Sequence, residues 1–244
     1  MGTLIQGILD NDSFFGRLMS KVWIIMAANF LFLLFCLPVI TIGPAISALY
    51  YVMLEVLHHK KEKDYQVKPF KTFMKGFRMN LKQSLVVWIF FLLFMVLTWI
   101  DVRFCRYVGG AMTVFSYAVI AVAFVVLLLT LYLFPVMTAF SDSLPHLIRN
   151  AVFFICKGPL FVPVILFFDV FPLYLTYSDP QYMPLYAFLW IMGGFGAVAM
   201  IGASLLYPLF KPYLASETEE EMDYSEPDES EEKALEELRM LDGL

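Results

Sequence analysis

An all-α, polytopic membrane bundle of about six spans is the fold class this sequence predicts. Three observations predict it. Sixty percent of the 244 residues are hydrophobic and the mean hydropathy is +0.73, far above soluble-globular usage. Apolar runs near the ~20 residues that cross a bilayer recur along the chain. Between them Lys and Arg gather in particular loops, above all at 58–82, as topology signals do. The formal net charge of −5 averages two unlike parts: residues 1–215 carry 15 basic and 9 acidic side chains, whereas 216–244 carry 2 and 13. Three segments are therefore expected. They are an interfacial cytoplasmic stretch at 1–21, a transmembrane helical domain at 22–215, and a largely disordered acidic cytoplasmic tail at 216–244.

At the start, Asp12 or Ser13 is placed to cap a helix that brings Phe14, Phe15, Leu18 and Met19 to the membrane surface. Lys21 and the small residues Ala45 to Ala48 superficially fit a signal peptide. The segment is too long for one, and another apolar run follows, so it is read as uncleaved. The first span, Val22 to Leu37, holds Asn29, whose amide needs a partner on another helix. Leu37 to Pro44 then combines two prolines and a glycine without a charge. This is the pattern of a buried turn between two spans, the second running from Val39 to Leu57. Backbone groups freed there are tolerable only if protein or trapped water satisfies them.

Residues 58–82 hold eight Lys or Arg against Glu62 and Asp64, so this loop is expected to be cytoplasmic. Arg17 and Lys21 place the N-terminus on the same side, and two inside flanks require a hairpin. The later spans are Leu85 to Ile100, Met112 to Phe134, Leu160 to Tyr177 and Pro184 to Phe210. Asp101 to Gly110 faces outside despite Arg103 and Arg106, and Ser141 to Lys157 returns inside. Ser178 to Met183 lies outside among interfacial tyrosines, and Lys211 marks a cytoplasmic exit. In the tail, Leu235, Leu238 and Leu241 are spaced for a short helix.

Four features could carry function. In Pro69 to Gln83, Phe70, Phe73, Met74, Phe77 and Leu81 fall on one helical face, and Lys71, Lys75, Arg78 and Lys82 on an adjacent one. A basic amphipathic helix lying on the cytoplasmic surface is expected, in contact with anionic headgroups or a partner protein. Headgroup attraction is worth roughly 1 kcal/mol per basic residue near the surface. Anchoring is the plainer role, and the two roles can coexist. Ser141 to Lys157 is a second amphipathic helix, with Leu144, Leu147, Ile148, Ala151, Val152 and Ile155 as its stripe and Asp142 or Ser143 as its cap. Importer permeases meet their ATPase through such a helix, but the acidic-glycine signature of that loop is absent. Asp169, mid-span in FFDVFP, is an intramembrane carboxyl, expected to be either protonated or bonded to Asn29, Thr41 or tyrosine side chains. The bland alternative is a structural hydrogen bond beside Pro172. Gly193, Gly194, Gly196, Ala197, Ala199, Gly202 and Ala203 suit close helix packing, with a pore lining as the alternative.

Cys36, Cys105 and Cys156 have no metal-ligand spacing and read as small buried side chains. There is no phosphate-binding glycine loop, and no Ser–His or Cys–His set shares one depth. Neither catalysis, cofactor, metal nor a nucleic-acid partner is expected.

Phe14-Phe15-Gly16-Arg17, then LPVITIGPAISALYYVMLE, then FKTFMKGFRMNLKQS resemble the YesL-like family of bacterial membrane proteins, a grouping labelled as a domain of unknown function. The likeness spans roughly 14–214 and is most specific at the TIGPA turn and the Phe-rich basic helix. It implies a multi-pass protein of the bacterial plasma membrane, often accompanying ABC-type carbohydrate uptake systems. It supplies no catalytic or binding residues. Two readings follow: a non-enzymatic accessory component that binds importer subunits, or a stand-alone small-solute transporter or channel using Asp169 and the Pro38–Pro44 turn.

Overall fold

The computed structural model describes residues 14–59 and 67–225. The expected cap at Asp12 or Ser13, the middle of the basic loop and the tail leucines lie outside these residues. The chain divides into two compact units, Met1–Leu209 and Phe210–Leu244. Among the described residues every regular element is helical, and six helices are long and apolar enough to cross a membrane. The protein is an all-α, polytopic helical bundle.

Helix α1, Phe14–Phe35, stops short of Pro38, which cannot continue it. A 3-10 turn, Val39–Thr41, leads into α2, Ile42–His58. Pro44 lies in the first turn of α2, where a missing N–H costs nothing. Helix α2 is the most enclosed of the spans, with Ala45, Ala48, Val52 and Met53 fully buried. The turn before it is only partly buried, contrary to expectation. Gly43 and Pro44 are enclosed, but Leu37, Val39 and Ile40 are exposed. Its backbone groups nonetheless find protein partners. Trp88 Nε1 donates to Val39 O at 2.8 Å, and the Thr41 hydroxyl lies 2.6 Å from Phe35 O and 2.8 Å from Pro38 O.

Helix α3, Pro69–Val108, is 40 residues long, with Pro69 at its start and Gly109 at its end. The expected separation into a surface helix and a span beginning at Leu85 does not occur. No Pro and no second Gly interrupts Gly76 to Val108, so the hydrogen-bond ladder continues. The expected outer loop at 101–110 shrinks for the same reason to Gly109-Gly110. Both have positive φ, 75° and 57°, which glycine adopts at little steric cost. Helix α4, Ala111–Ala139, returns along α3. Trp88 and Phe134 rings lie 6.4 Å apart, and Gln83 Nε2 donates to Asp142 O at 3.0 Å.

Helix α5, Leu144–Lys157, buries Leu147, Ala151 and Phe154. The expected stripe is therefore rotated, and Ile148 and Val152 are exposed. Phe154 decides the rotation by stacking on Phe140, centroids 5.7 Å apart. Ser143 is the N-cap residue without a side-chain cap bond. Its N–H instead donates to Asp142 Oδ1 at 2.8 Å. Helix α6, Phe161–Ser178, contains Pro172, whose carbonyl accepts from Thr176 Oγ1 at 2.8 Å.

The last expected span is broken. Helix α7, Met183–Leu189, gives way to a π segment, Trp190–Gly194, with non-helical angles at Gly193, before α8, Phe195–Ser225. The helix assignment continues through 216–225, the first ten residues of the expected disordered tail. Glu and Met tolerate a helix there. Of the cysteines, only Cys105 is buried; Cys36 is intermediate and Cys156 exposed.

Candidate functional sites: a basic helix end and an intramembrane polar set

The basic end of α3 is built by helical spacing. Lys71, Lys75, Arg78 and Lys82 recur at intervals of four, three and four, which places them on one face. All four are exposed. The opposite face buries Phe73, Gly76, Phe77, Asn80 and Ser84. Phe35 of α1 meets Phe77 at 4.8 Å and Phe73 at 5.5 Å between ring centroids. Phe73 and Phe77 therefore belong to the core and not to the expected contact surface. Their aromatic area is worth more against Phe35 than against a headgroup region. Phe70 alone of the three keeps an exposed ring, at 65%. Lys75 Nζ lies 5.6 Å from the Tyr51 ring centroid, a cation–π distance that ties the stripe to α2.

Gly76 permits that approach: a Cβ there would come within 2.6 Å of Tyr51 Cβ. One further glycine does the same at the other end of α2. A Cβ on Gly43 would overlap Trp88 Cβ and lie 2.8 Å from Ser84 O. Helices α2 and α3 are held close at both points.

The second site is polar and internal. Asn29 is fully buried, and its Nδ2 donates to Trp190 O at 3.0 Å and Ile191 O at 2.9 Å. Its Oδ1 accepts from Gly196 N–H at 3.0 Å. One amide thus satisfies backbone groups on both sides of the break at Gly193. Asn29 finds its partner on another helix, as its position in a span required. Gly196 makes room for this, since a Cβ there would lie 2.8 Å from Ile25 O.

Asp169 is not joined to Asn29 or Thr41, both of which spend their polar groups on backbone carbonyls or amides. Among the described residues no hydrogen bond or salt bridge reaches it. The Tyr50 phenol lies within electrostatic range of the Asp169 carboxyl and of the Tyr132 phenol. Tyr132 is 1% exposed, and among the described residues its hydroxyl has no hydrogen-bond partner. Tyr50 and Tyr132 were not singled out from the sequence for this role. A tyrosine in an apolar run gives no sign of which neighbour its hydroxyl will meet.

A bundle of this composition, with large apolar side chains outward and Asn29, Tyr50 and Tyr132 inward, defines an integral membrane protein of the polytopic helical class. Over residues 25–102 the chain matches a family model described as a protein of unknown function, DUF624. The matched stretch runs from α1 through most of α3, so it takes in Asn29, Thr41 and the basic stripe and leaves out Asp169. No curated protein matches, and no solved structure matches.

Proposed function

We propose that the protein works by binding: it is a non-enzymatic accessory subunit of a membrane transport assembly, docked through the basic end of α3. The observation that carries this reading is the exposed Lys71–Lys75–Arg78–Lys82 face on a helix packed closely against α2. Four cations on one continuous helix face present a preformed surface, and steer an acidic partner surface to it. The resemblance to YesL-like proteins suggests the assembly, an ABC-type carbohydrate importer in a bacterial plasma membrane. The experiment is affinity purification in a mild detergent with mass spectrometry, wild type beside the Lys71→Gln, Lys75→Gln, Arg78→Gln, Lys82→Gln variant. Importer subunits are expected with wild type and lost with the variant, at equal membrane insertion. Equal recovery from both would remove this face from the proposal.

One observation favours a second reading, a stand-alone transporter. Among the described residues, Asp169 and the Tyr132 hydroxyl are polar groups without protein hydrogen bonds, and such groups call for water or a solute. The Pro38–Pro44 turn contributes less to this reading, because Thr41 and Trp88 already engage its carbonyls.

A further inference from the structure

The register of α2 on α3 places the α1–α2 turn in the membrane. Three contacts fix that register. Val39 O accepts from Trp88, Gly43 packs on Ser84 and Trp88, and Tyr51 packs on Gly76 and Lys75. Helix α2 therefore runs antiparallel to α3 over its basic end, and the turn stops level with Trp88. Beyond Trp88, α3 continues for 20 residues to Val108, about 30 Å at 1.5 Å per residue. That is about the thickness of one hydrocarbon core.

The rest of α3 and the facing part of α4 need that core. From Ile89 to Leu129 only Cys105 and Ser116 are buried. Phe90, Leu97, Trp99, Val114 and Phe124 are among the large apolar side chains left bare. The windows in these two helices are the most apolar of the six candidate spans. The whole of α3 is about 60 Å long, twice the core thickness, so one end must leave the hydrocarbon. The end with Lys71, Lys75, Arg78 and Lys82 exposed is the one that water or headgroups can accept. Helix α2, enclosed by protein along most of its length, does not need lipid to cover it.

We infer that the α1–α2 turn is re-entrant: it seats Leu37, Val39 and Ile40 at the outer edge of the acyl region on the basic side of the membrane, level with Trp88, and does not reach the far surface. The partner is the acyl region of that leaflet. These three side chains are 77%, 59% and 56% exposed, and no charge lies between Val22 and Tyr51 to resist insertion. Helix α2 then rises from the edge of the acyl region through the headgroup level beside the cationic stripe, and both flanks of the turn remain on one side without two full crossings.

The test is site-directed labelling of the full chain in native membranes, with Cys36, Cys105 and Cys156 replaced by alanine. Single cysteines at Ile40, Tyr107 and Lys71 are treated with a membrane-impermeant maleimide from each side. Tyr107→Cys and Lys71→Cys should label from opposite faces. Ile40→Cys should stay at background from the Tyr107 face. A fluorophore on Ile40→Cys should be quenched most by nitroxide lipids in the leaflet of the Lys71 face. Restoring Cys36 alone supplies a second probe of the same turn in a less altered chain. Labelling of Ile40→Cys or Cys36 from the Tyr107 face, or strongest quenching in that leaflet, would overturn the inference. It would show instead that the α3–α4 hairpin beyond Trp88 stands outside the bilayer.

Discussion

At the scale of the residue, Asn29 shows how one side chain stabilises an irregular helix. At the break around Gly193 the carbonyls of Trp190 and Ile191 turn to Asn29, and in a dry environment buried carbonyls need donors. Asn29 supplies two N–H groups and takes one back from Gly196. Asn29→Ala removes all three bonds and leaves backbone groups buried. A loss of about 1–3 kcal/mol is expected, since an orphaned buried group costs that much. Membrane double-mutant cycles place the worth of one interhelical bond lower, near 0.6 kcal/mol. Unfolding of the purified variant in mixed micelles measures it, and unchanged stability would mean that the break is held by packing alone. The sequence showed that Asn29 needed a partner. It could not show that the partner was backbone, because the break is encoded some 160 residues away.

At the scale of the element, α3 decides most. Read alone, Pro69 to Gln83 has the charge pattern of a helix lying on a membrane, and Leu85 to Ile100 that of a span. Both patterns are present, but nothing between them bends the chain. Continuity needs only an unbroken ladder of backbone bonds, whereas a right-angle turn needs a breaker. Spin labels at Lys71→Cys and Phe104→Cys should therefore lie about 50 Å apart, 33 residues along one helix. Pulsed electron paramagnetic resonance reads that distance. A value of about 36 Å, that of a right-angle bend near Ser84, would restore the flat surface helix and separate the basic face from the span.

At the scale of the whole molecule, the polar groups inside are few and mostly spent. Asn29 and Thr41 serve backbone. Asp169, with Tyr50 within electrostatic range of it and of Tyr132, is a place among the described residues for a solute; the buried Ser47 hydroxyl also lacks a partner there. If the protein transports by itself, liposomes holding the purified chain should take up a solute, and Asp169→Asn should change the rate. Tight liposomes across a panel of sugars and ions would count against transport and leave binding as the function. The two outcomes separate the readings, because the docking face on α3 does not depend on Asp169.

The sequence by itself determined the solvent of this protein and its class. Long apolar runs must leave water, and backbone inside a bilayer must satisfy itself as helix, so composition and period are sufficient. It also determined that Lys71, Lys75, Arg78 and Lys82 share a face, since that follows from 3.6 residues per turn. Only the tertiary structure decided which aromatic side chains join that face. Phe73 and Phe77 turn inward because Phe35 arrives to meet them. Only the tertiary structure, too, set the depth of one helix against another. Periodicity fixes rotation about a helix axis, whereas sliding along it depends on where two surfaces interlock, here at Gly43 on Trp88 and Gly76 on Tyr51.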